Sequence, residues 1–126
     1  KFRVVMIHHP PVEGAAGRMK KLHGQTLFRS IIAETGAELV LHGHTHLDSL
    51  NWIDGIDGPV PVVGVPSASH APHTDGNPAQ KHNRPPARYN LFDIDGQPGE
   101  WTCHYTQFGY QDRSSQIVQI GDPIQL

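Results

Sequence analysis

The sequence predicts an α/β fold that opens as strand, helix, strand and continues as several mostly antiparallel strands. Three observations predict it. Phe2 to Ile7, FRVVMI, is an apolar run with β-branched residues, the pattern of a strand covered on both faces. Gln25 to Thr35, QTLFRSIIAET, sets Leu27, Phe28, Ile31 and Ile32 on one face of a helix, and Gly36 supplies the stop. Glu38 to His42 is a second aliphatic run.

A strand, a helix and a strand in that order predict a parallel pair joined by a right-handed crossover. The first strand must end by Pro10 and Pro11, which forbid further ladder pairing. After residue 46 the pattern changes. Leu47 to Ile53 alternates loosely, Asp54-Gly55 and Asp57-Gly58 are turn signals, and Val60 to Val65 is apolar again, so a hairpin is expected. Ser67 to Pro86, SASHAPHTDGNPAQKHNRPP, reads as one long loop, a length that in a compact domain points to function. Arg88 to Ile94 and Trp101 to Phe108 read as two more strands around an Asp95-Gly96 turn.

At 126 residues with 37% hydrophobic composition, the chain amounts to one domain with a modest core. A net charge of -2 gives no general attraction to nucleic acid or anionic membrane, so neither is expected as a partner. The single cysteine, Cys103, excludes an intrachain disulfide and a cysteine-based zinc site. With no apolar stretch of membrane-spanning length and no signal-peptide pattern, a cytoplasmic location is expected. The first residue is Lys1 and a strand follows almost at once, which suggests a piece of a longer chain.

Ten histidines stand against ten lysines and arginines together. They group as His8 and His9, then His42, His44 and His46, then His70, His73 and His82 in the loop. Crowded imidazoles repel when protonated and need partners for both ring nitrogens when neutral; a metal ion removes both difficulties. In parallel sheets, ligands bind beyond the carboxyl ends of the strands. His8 and His9 follow the first strand, and His44 and His46 follow the second, so the crossover brings both groups to one sheet edge. Gly43 is expected to let the backbone approach closely there. His42, still within its strand, is expected to pack with a satisfied ring nitrogen, and His23, His82 and His104 to be solvated. His70 and His73 are intermediate, since their loop follows a strand that ends near the same edge.

At these residues the chain resembles a family. VVMIHHPP is similar to the penultimate motif of calcineurin-like metallophosphoesterases, an aliphatic strand ending in His-x-Pro, and LVLHGHTH is similar to their final Gly-His-x-His. PVPVVGVPSAS and PPARYNLFDI resemble the ends of bacterial members that act on phosphodiesters, so the likeness spans about residues 3 to 106. The resemblance implies an α-β-β-α sandwich and two divalent or trivalent transition metal ions, Mn, Fe, Zn or Ni. It implies that His8 and His44 hold one metal and His46 the other. His9, the x of its motif, with Gly43, Thr45 and His70, would sit beside the substrate or support the ligands. A small phosphoester is the implied substrate, with Arg84 or Arg88 near its phosphate.

The family's Asp-x-His, Gly-Asp and Asn-His motifs are absent, and Asp48, Asp54 and Asp57 stand in the wrong order to replace them. The resemblance therefore implies that residues 1–126 are the C-terminal half of a catalytic domain, with an N-terminal half as partner and no catalytic residue assigned within this chain. Alone, such a half is expected to dimerise or assemble further, through edge strands or exchange of Ser114 to Leu126. Two other readings stay open: a mononuclear zinc hydrolase with His8, His44 and His46 as three ligands, and a non-enzymatic histidine-rich metal-binding module. Metal stoichiometry separates the three.

Overall fold

In the computed structural model of the chain, residues 1–14, 22–70, 85–110 and 116–126 are described. They form β1 (Val4–Ile7), α1 (Gln25–Thr35), β2 (Leu39–His42), β3 (Ser49–Ile53), β4 (Val60–Gly64), β5 (Arg88–Gln97), β6 (Glu100–Tyr110) and β7 (Ile117–Gln125). The protein is a strand-rich α/β chain of two compact units, Lys1–Gly64 and Val65–Leu126, each with one sheet. None of its described helices is long and apolar enough to cross a membrane.

The first unit holds the predicted crossover. β1 and β2 run parallel, with Val4 opposite Leu39 and Ile7 opposite His42. Helix α1 has the predicted bounds, and it stops where Gly36, at φ 75°, donates its N–H to the Ile32 carbonyl. Arg3 binds both carboxylate oxygens of Glu38 and also the Thr35 carbonyl at the helix end. One guanidinium thereby joins the start of β1, the end of α1 and the approach to β2. The Arg3 hydrogen bonds hold the Glu38 carboxyl below its ordinary pKa.

The predicted hairpin forms, with Ser49 opposite Gly64 and Ile53 opposite Val60. Its return strand also pairs in parallel with β2, giving the sheet order β1-β2-β4-β3. β2 and β4 are therefore central strands, and this explains their nearly unbroken apolar sequence. Ile32, Ala37, Val40, Ile53, Val60 and Val62 form the core, with Phe28, Val5, Ile7 and Val12 packed against it.

Two expectations change in this unit. Strand β1 is not covered on both faces: it is the edge strand, with Val4 42% and Met6 78% exposed. The helix presents only Ile32 and Phe28 to the core, while Leu27 and Ile31 face outward. A four-stranded sheet offers one helix a narrow seat, so half of the apolar stripe stays outside it.

The second unit is an antiparallel meander, β5-β6-β7. The β5–β6 connection is not Asp95-Gly96, which lies inside β5 with Gly96 opposite Trp101; Gln97 and Glu100 close the ladder around Pro98-Gly99 instead. Tyr89 stacks on Phe108 and Phe92 lies against Tyr105, each a directly opposed cross-strand pair. Sequence reading assigned no strand to the C-terminal segment. There β7 pairs with β6 across a register shift that absorbs Gly121 and Pro123, and a proline is tolerated because β7 is an edge strand. Ser114 and Ser115, the start of the segment expected to exchange, lie outside the described residues.

Candidate metal centre

Two strand ends build the site. After Ile7 the chain passes through His8 and His9 into Pro10 and Pro11, both fully buried. Two buried rings with fixed φ leave the exit from His9 little freedom. On the neighbouring strand, Gly43 donates its N–H to the His8 carbonyl at 3.2 Å, which carries the parallel ladder one residue beyond both strands. The imidazoles that follow are thereby brought alongside each other.

The second strand end is strained. Thr45 donates its N–H to the Gly43 carbonyl at 2.7 Å, so residues 43–45 close a γ-turn with His44 at its apex. His44 has φ 62° and His46 φ 58°, the only described non-glycine residues with positive φ. That conformation costs a side-chain-bearing residue about 1–3 kcal/mol, and such residues cluster at functional sites. Thr45 continues the bend by accepting the Leu47 N–H on its hydroxyl at 3.4 Å.

The result is a trio of imidazoles. His44 Nδ1 lies 3.1 Å from His8 Nε2, one donating and the other accepting according to tautomer. The His9 ring lies 4.2 Å from that of His44 and 4.9 Å from that of His8, centroid to centroid. One ring nitrogen from each of His8, His9 and His44 falls within 4.8 Å of the others. Tetrahedral zinc with nitrogens at about 2.0–2.1 Å separates them by about 3.4 Å. The 3.1 Å pair is within a few tenths of that, and His9 adds a third ring nitrogen within 4.8 Å. Neutral imidazole is also a common ligand of such ions. The donor set therefore fits a borderline transition metal.

The placement of the other sequence candidates differs. His46 is half-buried, two residues beyond His44, and is not part of the trio. Among the described residues the cluster contains imidazoles only, with no carboxylate. Gly43 has open space where a Cβ would stand. Gly64 does not: a Cβ there would strike the His42 ring and the Ser49 hydroxyl. His42 is 4% exposed; its Nδ1 donates to the Gly43 carbonyl at 3.0 Å and its Nε2 accepts from Ser49 Oγ at 3.4 Å. Burial lowers its pKa, against a smaller opposing effect of the Gly43 carbonyl, and so favours the neutral ring.

In the second unit His70 lies beside residues 85–87, its Nδ1 3.3 Å from the Pro85 carbonyl and its own carbonyl accepting the Ala87 N–H. Arg88 donates to the Gln107 side chain at 2.9 Å, and Gln107 in turn donates to Asn90. His73, His82, Arg84 and the rest of residues 71–84 lie outside the described residues.

Sequence reasoning treated His9 only as a spacer or support. The available signal was its position between a strand end and two consecutive prolines, which restricts its backbone to extended conformations. The positive φ at His44 and His46 had only a weak signal: histidine is among the non-glycine residues enriched there, but most histidines do not adopt it. No protein-family model matches the chain, and no curated protein matches it.

Proposed function

We propose that this chain supplies the histidine half of a metal-dependent phosphoester hydrolase, acting most readily on phosphodiesters. The observation that carries the proposal is the 3.1 Å approach of His8 and His44 at the carboxyl ends of adjacent parallel strands, on a backbone held in strain. Residues held in such strain cluster at ligand-binding and active sites, which supports reading the pair as preorganised ligands. When bound, such ions polarise phosphoryl oxygens and furnish a nucleophile at neutral pH.

The chain's own residues hold and orient. A ring nitrogen committed to a cation cannot take a proton, so His8 and His44 position the centre and a proton donor has to come from elsewhere. Two dications a few ångströms apart repel by roughly 10–20 kcal/mol at an effective dielectric near 20. Neutral imidazoles offset none of this, and the cluster contains no carboxylate. A second segment carrying acidic ligands therefore completes the binuclear site, in the manner of the resembled metallophosphoesterase sandwich. The edge position of β1 and the exposure of Val4 and Met6 support such a neighbour. Separated from it, the chain would dimerise or assemble further through that edge.

The trio itself favours a second reading, a mononuclear zinc site with His8, His9 and His44 as ligands. One experiment separates the two. In the intact protein, metal content and turnover of a generic aryl phosphodiester with added manganese are measured for wild type, His9→Ala, His44→Ala and His46→Ala. The binuclear reading expects two ions per site, loss of turnover in His44→Ala and His46→Ala, and a much smaller effect of His9→Ala. One ion per site, with His9→Ala as damaging as His44→Ala and His46→Ala tolerated, selects the mononuclear site. Turnover independent of metal in wild type would end both.

A further inference from the structure

The described metal ligands do not account for His42. Among the described residues it is the one buried polar side chain, and three separate features are arranged around it. Ser49 Oγ caps its Nε2, which leaves the proton on Nδ1. Gly64 lies directly beneath the ring, where any Cβ would come within 2.6 Å of His42 Cε1. The Nδ1 proton is directed at the Gly43 carbonyl. That same carbonyl accepts the Thr45 N–H which closes the turn at His44.

A carbonyl with two donors is fixed in direction. The γ-turn at His44 is closed by a single backbone hydrogen bond across a residue with unfavourable φ, and alone it would relax readily. We infer that His42 is a positioning residue for the metal centre: its Nδ1–H holds the Gly43 carbonyl in the orientation that locks the strained turn and presents His44 to His8 and His9. This deepens the proposal above and rests on it for the identity of the ligand. Ser49 and Gly64 belong to the same device, one setting the tautomer and the other making room for the ring. Supports of this kind, behind a ligand rather than on the metal, change affinity by about 10- to 100-fold when removed.

Side-chain geometry provides the test. Asparagine places an N–H donor where His Nδ1 stands and keeps the bond to Gly43; glutamine places one where Nε2 stands and keeps only the Ser49 contact; leucine keeps neither. His42→Asn, His42→Gln and His42→Leu are compared with wild type in the full chain, first metal-free and then with Co2+ alone. The metal-free readouts are amide exchange of Thr45 and the ring-proton NOE between His8 and His44. The metal readouts are Co2+ affinity by calorimetry and the visible absorption bands of the bound ion.

Wild type and His42→Asn are expected to retain Thr45 protection and the NOE, with Co2+ affinities within about threefold and the same absorption bands. His42→Gln and His42→Leu are expected to lose protection and the NOE and to bind Co2+ at least tenfold more weakly, with the remaining amides still dispersed as in the folded chain. If His42→Gln keeps the turn and the cobalt affinity of wild type, the role assigned to His42 is overturned. If wild type takes up no Co2+ while its turn shows the His42 dependence described, it is the metal reading that falls.

Discussion

The two units bury their sheets in different ways. In Lys1–Gly64 the middle strands present apolar side chains to both faces, so that Leu39, Val40, Val62 and Val63 are all at most 2% exposed. In Val65–Leu126 the buried hydrophobic side chains among the described residues are Cys103 and Tyr105 of β6, while Leu91, Tyr89 and Ile117 on its flanking strands are about half exposed or more. Central strands buried on both faces are held by side-chain burial, whereas a meander with exposed flanking strands stays together through opposed pairs along its ladders. The imidazole trio sits on the first kind of support. The strand that leads into the strained His44 and His46 is buried on both faces, at Leu39 and at Val40, and such strain persists where the surrounding structure over-determines it.

The sharpest way to break this contrast is to make the same substitution in both sheets. Leu39→Ala is expected to cost about 2–5 kcal/mol, the loss typical of a fully buried leucine, while Leu91→Ala, 60% exposed, should fall within about 0.5 kcal/mol. Urea midpoints read the difference, and equal losses would show that the two sheets do not differ in burial as described. Next come two glycines. Gly36 has φ 75° and a Cβ there would strike Arg3 and Ile56, so Gly36→Ala should cost about 1–3 kcal/mol. Gly99 also has positive φ but has nothing within 4 Å, and Gly99→Ala should cost visibly less in the same melts.

Smaller still is the pairwise term in the meander. A double-mutant cycle on Tyr89 and Phe108 should return a coupling of about 0.2–1 kcal/mol; a coupling of zero would remove the pair as a source of stability for the second unit. The smallest effect belongs to the Arg3–Glu38 clip of the first unit. Because Arg3 holds the folded Glu38 carboxyl below its ordinary pKa, the unfolded chain binds that proton first as pH falls. The stabilisation is present above the unfolded value of about 4.3 and is lost as pH drops through the depressed folded value. Glu38→Gln should therefore flatten the acid limb of stability against pH without changing the limb above pH 6, and an unchanged acid limb would remove the clip from the account.

Local pattern was enough for several features. The bounds of α1, its stop at Gly36, the parallel direction of β1 and β2 and the β3–β4 hairpin follow from spacing and turn chemistry, which act over a few residues. The position of histidines at the ends of two adjacent strands was equally legible, since strand order and chain direction place them. The β5–β6 turn was misplaced because Asp95-Gly96 and Pro98-Gly99 are both turn signals, three residues apart, and only the register with β6 chooses between them.

What the sequence by itself determined is therefore which segments become strands or helix in the first unit, and that imidazoles gather at one sheet edge. Only the tertiary structure decided that β4 inserts beside β2, that β1 is left at the edge with Met6 exposed, that the C-terminal segment pairs as β7, and that His9 joins His8 and His44 while His46 stands outside the trio. The physical reason is range. Propensity and periodicity are set by neighbours in the chain, whereas strand order, edge exposure and ring-to-ring distance are set by contacts between residues tens of positions apart. The left-handed turn at His44 is the clearest case: histidine has only a mild local tolerance for it, and in the fold Gly43 beside it is held from two sides, by the His8 carbonyl and by the buried ring of His42.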